Sequence, residues 1–290
     1  MKTLLAVMVM AMASAGIARA QPSVTVPRAD APDPATDPGF VVIDQTNARS
    51  GGGLEMSYIG LDSSLGDNAP TLLRFAANAR YVDPALGLGG YVRVPFAYAR
   101  SSSGGMSDTV TDVGNIEIGG IYSPRFDQRG TGVILRAGIT LPTGESGDEA
   151  LVGTLASFAA FPDLYNAMPR ATTLKLGVSP VFRAGVMFAR LDVGLDWNID
   201  AKDAVLGKVL HFDAGLGADF APFSVMFESA NATVFSDRMG GSASTADVLG
   251  ISARYTSAQV SPYLAVVIPL DKDISEVMSV AVTAGAQFRL

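Results

Sequence analysis

The chain has 290 residues, 48% apolar and 17% charged, with a formal net charge of −7 and no cysteine. An acidic chain has no electrostatic basis for binding nucleic acid, and the lack of cysteine excludes disulfide staples and thiolate metal sites. With 31 Gly and 16 Pro, the composition suits many short strands and turns better than helices.

Lys2 precedes an apolar run over residues 4–17, which ends in Ala18, Arg19 and Ala20. These are the charged region, apolar region and A-x-A site of a cleaved secretory signal over residues 1–20. At about 14 residues the run is too short for the roughly 20 of a spanning helix, and no later stretch approaches that length. Without residues 1–20 the chain keeps 19 basic and 28 acidic residues, a net charge of −9. Residues 21–38 are rich in Pro, Ala and Asp and read as an extended periplasmic arm. Residues 40–50 open with Phe-Val-Val-Ile and end in polar residues before Gly51, Gly52 and Gly53, and read either as a plug or as a linker. Residues 21–53 are thus an N-terminal arm or plug, ahead of a barrel over 54–290.

Twelve strand candidates follow, at 54–60, 71–82, 89–100, 113–123, 131–142, 172–181, 184–198, 208–220, 222–234, 247–257, 259–269 and 279–290. Most approach the 9 to 11 residues of a tilted transmembrane strand. In the second, Leu73, Phe75, Ala77 and Tyr81 alternate with Arg74, Asn78 and Arg80; in the last, Val282, Ala284, Ala286, Phe288 and Leu290 alternate to the final residue. Connections after odd strands are long and those after even strands short, except residues 123–130. This matches external loops and periplasmic turns, with both termini periplasmic. Tyr58, Tyr81, Tyr98, Tyr122, Trp197, Phe220, Phe223, Tyr255 and Phe288 fall near strand ends, as aromatic girdles do. The expected fold is an all-β, antiparallel, up-and-down transmembrane β-barrel of about 12 strands in the bacterial outer membrane. A soluble sandwich would instead turn its apolar faces inward.

Residues 142–172 differ from their surroundings. Leu151, Leu155, Phe158 and Phe161 recur at helical spacing, with Asp148 placed to cap the start and Pro162 to stop the end. The spacing predicts a short amphipathic helix in the third external loop, folded into the lumen as a constriction or lying on the rim.

If apolar positions face lipid, the alternate positions line the lumen. They include Arg74, Arg80, Arg93, Glu117, Arg136, Lys175, Arg190, Asp192, Asp196, His211, Asp213, Glu228, Arg254 and Arg289. The default for each is a compensating pair that rigidifies the barrel; the functional alternative is selection of solute charge. His211, the only histidine, lies beside Asp213 and reads as a hydrogen-bonded lumen residue rather than a catalyst. No enzyme activity, metal or cofactor is expected. The expected partners are outer-membrane lipids, the barrel-assembly machinery through the C-terminal strand, and a small solute.

Residues 112–122, Asp-Val-Gly-Asn-Ile-Glu-Ile-Gly-Gly-Ile-Tyr, and 132–144, ending Leu-Pro-Thr-Gly, carry a family resemblance. They resemble paired strands of the outer-membrane transporters associated with the meta-cleavage pathway of phenol degradation, although Asn115 stands where that family usually has Asp. The resemblance implies a channel for small, hydrophobic or aromatic compounds by passive or facilitated diffusion. A structural or adhesive barrel without channel activity is the alternative.

Overall fold

Alternating burial sorts nearly every strand into two faces. In β9 (Lys208–Phe220), His211 and Asp213 are buried while Leu210, Phe212 and Leu216 are exposed. A computed structural model describes residues 40–43, 48–62, 70–103, 106–124, 131–144, 146–167, 171–199, 207–235, 243–256 and 259–290. The signal at 1–20 and the arm at 21–38 lie outside the described residues.

The remaining strands are β1 (Gly51–Leu61), β2 (Thr71–Val82), β3 (Leu88–Ser103), β4 (Met106–Val113), β5 (Ile116–Tyr122), β6 (Gly132–Leu141), β7 (Thr173–Ala184), β8 (Met187–Asn198), β10 (Phe223–Phe235), β11 (Ala243–Tyr255), β12 (Val260–Pro269) and β13 (Met278–Arg289). All pair antiparallel, neighbour to neighbour, and β1 closes the sheet against β13 from Gly51↔Arg289 onward. Closure satisfies both edges, the condition for a sheet in lipid.

β4 and β5 share one stave. Phe96 pairs Val113, but Arg93 pairs Glu117, so the ladder resumes one residue out of step after Gly114 and Asn115. The thirteen strands therefore make twelve staves, as expected. Two boundaries move. β1 starts at Gly51 rather than 54, because the three glycines already pair on both sides. The third connection is not a long loop, because β3 and β4 pair out to Ser103↔Met106.

One barrel end carries the short turns, such as Gly185–Val186 and Ala221–Pro222. Around it Tyr81, Tyr122, Phe220, Phe223, Tyr255 and Phe288 point outward, while Tyr58 and Trp197 do so near the other, loop end. Amphipathic rings take these levels at a membrane interface.

Leu191, near the middle of β8, is 40% exposed. Leu191→Arg is expected to destabilise the barrel in liposomes by about 2–4 kcal/mol, against about 0–1 for Leu290→Arg at the rim. Denaturant titration followed by heat-modifiable gel mobility checks this. Equal small effects would contradict a lipid-facing exterior.

Candidate functional site in the barrel interior

The segment between β6 and β7 enters the barrel. Its helix α1 (Asp148–Ser157) is followed by a 3-10 helix (Phe161–Ala167), which approaches β10 on the far side of the barrel from β3. The helix begins at Asp148, one residue past the expected cap, and Gly147 occupies the cap position with φ 93, a left-handed conformation natural to glycine. The helix ends at Ser157, and Pro162 lies within the 3-10 turn instead of ending α1. The inward face also differs from the expected stripe. Val152, Ala156 and Ala159 are buried, Leu155 and Phe158 pack beside them, and Leu151 is exposed. Small alanines let α1 approach β2, β3 and β4 closely, where a row of leucines would not fit.

The 3-10 helix supplies the polar anchors. Residues i and i+3 eclipse in this helix type, so Asp163 and Asn166 face the same wall. Asp163 takes both Arg74 and Arg93 as ion-pair partners, and Arg74 also pairs with Glu55. Burial disfavours the Asp163 charge, but Arg93, Arg74 and Lys175 more than offset it and hold the carboxyl below the usual carboxylate range. The Asn166 Nδ2 donates to Glu117 Oε2 at 3.0 Å, and Lys175 Nζ donates to the same oxygen at 3.0 Å and to Asn166 Oδ1 at 3.2 Å.

The chain of contacts continues around the wall. Tyr91 Oη donates to Glu117 Oε1 at 2.6 Å, Lys175 Nζ lies 3.8 Å from Asp196, and His211 Nε2 lies 3.1 Å from Asp196 Oδ2. A Cβ on Gly119 or Gly138 would strike the Tyr91 ring or its hydroxyl, so these glycines make room for it. The resembling motif docks the same loop. Thr143 Oγ1 donates to Gly114 O at 2.9 Å, Gly144 N donates to Asn115 Oδ1 at 2.9 Å, and Asn115 N donates to Asn166 O. Asn115 therefore works through its amide oxygen, an acceptor that a carboxylate would also provide.

Among the other expected lumen residues, Arg190 and Ser179 surround Asp192. Asp213 accepts from Asn231 N at 2.9 Å, and the hydrogen-bond partner of His211 is Asp196. No serine hydroxyl is hydrogen-bonded to His211 among the described residues. Arg136 and Arg80 are half-buried, while Arg254 is buried and donates to Gln287 Oε1 at 3.2 Å.

Glu228 faces a second internal segment. Its Oε2 accepts from the backbone N–H groups of Val41, Val42 and Ile43 at 2.9, 2.7 and 3.1 Å, and Ser252 Oγ donates to Oε1 at 2.6 Å. Phe40 meets Phe188 edge-on at 5.5 Å, and all four residues from Phe40 to Ile43 are at most 5% exposed. Side chains on Gly215 and Gly250 would collide with Phe40 and Val42. Glu55, Asp163, Asn166, Tyr91 and Tyr263 are site residues absent from the sequence reading. The alternation of Leu54, Met56 and Tyr58 with Glu55 and Ser57 carries a signal for Glu55; Asp163 and Asn166 sit in a loop with no period.

Lipid-compatible exterior, charged interior and full closure define a transmembrane barrel of the outer-membrane class. No known family profile and no curated protein matches the chain. Among solved structures it is similar to an outer membrane channel from Pseudomonas putida F1, at 12% identity and TM-score 0.58, covering 87% of this chain and 98% of that one. It is also similar to the NanC porin (11%, 0.49, 82% and 100%) and to LpxR from Salmonella typhimurium (11%, 0.47, 82% and 100%).

Proposed function

We propose that the protein is a narrow outer-membrane channel for small solutes, held closed by the loop that contains α1 and by the segment at Phe40–Ile43, which acts as a plug. The observation that carries this reading is how the loop is fastened: its 3-10 helix meets the wall through Asp163 and Asn166, charged and amide contacts that water can replace. Release of the loop would uncover Arg74, Arg93, Glu117 and Lys175, then Arg136, Arg190, Asp192, His211, Asp213 and Glu228 further round, as the pore lining. Arg80 and Arg254 lie toward the turn end, which we place in the periplasm together with both termini. Passage is by passive or facilitated diffusion, and twelve strands restrict it to small molecules compared with the 16 to 18 of general porins. The motif resemblance extends this to hydrophobic or aromatic compounds. β13, with outward Phe288, presents the signal for barrel assembly.

Liposome swelling tests this. The full chain should admit small solutes slowly, and a chain lacking both residues 21–48 and residues 145–170 several-fold faster. No flux with either would favour the second reading, a structural barrel, which the filled interior supports.

The latch should also respond to acid. Asp163 has a folded pKa below its unfolded value, so its contribution is complete above the ordinary carboxylate pKa of about 3.9 and lost as pH falls through the lower folded value. Flux should be flat from pH 8 to 5 and rise only below about pH 4. A rise centred near pH 6 would assign the latch to another group.

A further inference from the structure

Two opposite charges face each other across a ladder without meeting. Arg93 on β3 and Glu117 on β5 are directly paired residues, both buried and both turned inward, a placement in which opposite charges ordinarily attract and pair. Arg93 instead has Asp163 of the 3-10 helix as its one ion-pair partner among the described residues. Glu117 is filled by other donors, Tyr91 on Oε1 and Asn166 and Lys175 on Oε2. The next such pair around the wall is displaced in the same sense. Lys175 on β7 and Asp196 on β8 are also directly paired, yet Lys175 Nζ lies 3.0 Å from Glu117 and 3.8 Å from Asp196. With the loop in place, each of these two cations leans toward a carboxylate other than the one its strand register sets opposite it.

The loop supplies the two groups that hold this displacement, the Asp163 carboxylate and the Asn166 amide. Without them the wall still matches Glu55, Glu117 and Asp196 against Arg74, Arg93 and Lys175, and Arg74 is already paired with Glu55. We infer that opening is an exchange of partners: as the 3-10 helix leaves, Asn166 vacates Glu117, Arg93 passes from Asp163 to Glu117, and Lys175 settles on Asp196. Glu117 is then a positioning residue for both states, holding Asn166 when the loop is in and Arg93 when it is out. Two arrangements that each pair the wall charges give the gate two discrete positions rather than a continuum. The inference rests on the closed-channel reading.

The full chain carrying Ala156→Cys, folded in liposomes, tests this through its rate of labelling by a membrane-impermeant thiol reagent. Asp163→Asn strands Arg93 in the closed position and should speed labelling. Adding Glu117→Gln should slow that variant at least ten-fold, because Gln still offers Asn166 an acceptor oxygen but cannot receive Arg93 as an ion pair. A Glu117 that merely anchors the loop predicts the opposite sign. Asp196→Asn, at a residue with no hydrogen bond to the loop among the described residues, should also slow Asp163→Asn, since Lys175 then has nowhere to go and keeps Glu117 occupied. In an Arg93→Gln background, with no cation to exchange, Glu117→Gln should produce no slowing. Heat-modifiable mobility verifies that each variant folds, and the Asp196 variant decides alone where a Glu117 variant does not. Labelling of the combined variants as fast as Asp163→Asn or faster, or a slowing that persists without Arg93, would overturn the exchange and leave the channel reading standing. Labelling no faster in Asp163→Asn than in the chain with Ala156→Cys alone would overturn the exchange together with the latch on which it depends.

Discussion

Replacing Asp163 with Asn is expected to free the loop without unfolding the barrel. Asn keeps the volume but removes the charge on which Arg74 and Arg93 converge. Arg74 retains Glu55, whereas Arg93 is left with no ion-pair partner among the described residues. Removing one member of a buried pair costs about 3–5 kcal/mol, and each 1.4 kcal/mol is a factor of ten. The released fraction should rise by roughly 100-fold or more. The chain has no cysteine, so a single one at Ala156, which is 1% exposed, reports the loop position cleanly. Its labelling by a membrane-impermeant thiol reagent should accelerate by a similar factor in Asp163→Asn. An unchanged rate in a folded barrel would show that the loop is held by something else.

The second large effect concerns Phe40–Ile43. Glu228→Ala leaves three buried N–H groups without their acceptor, and a hydrogen bond to a charged group is worth about 1.5–3 kcal/mol. The segment should then leave the interior, with the same outcome as deleting residues 21–48. Its effect on conductance depends on the loop, since each element alone still obstructs the lumen. Glu228→Ala should raise conductance modestly by itself and strongly once residues 145–170 are removed. Equal conductance with and without residues 21–48 in the loop-deleted background would exclude the segment as a plug.

The barrel was legible because its signal is a period of two repeated in stave after stave. Arg74, His211 and Glu228 could be assigned to the inner face from their neighbours alone. Their partners could not. His211 and Asp213 are adjacent inward positions of one strand, which sets them about 6.8 Å apart along the wall. Asp196 reaches His211 across the β8–β9 ladder, where Gly194 is the paired residue, and that register is not written in either strand. The loop was legible as helical but not in its facing direction, since the wall selected small alanines over the leucine spacing. Asp163 and Asn166 gain meaning only from the 3-10 geometry that aligns them. The role of Asn115 depends on the break between β4 and β5, which the motif contained without displaying.

Single-channel recording in planar bilayers tests the central claim most directly, with the full chain compared with one lacking both residues 21–48 and residues 145–170. Rare, small steps from the full chain and frequent, larger steps from the doubly deleted barrel are the expected result. Silence from both, with heat-modifiable folding intact, would contradict a closed channel and leave a barrel whose filled interior serves only its rigidity.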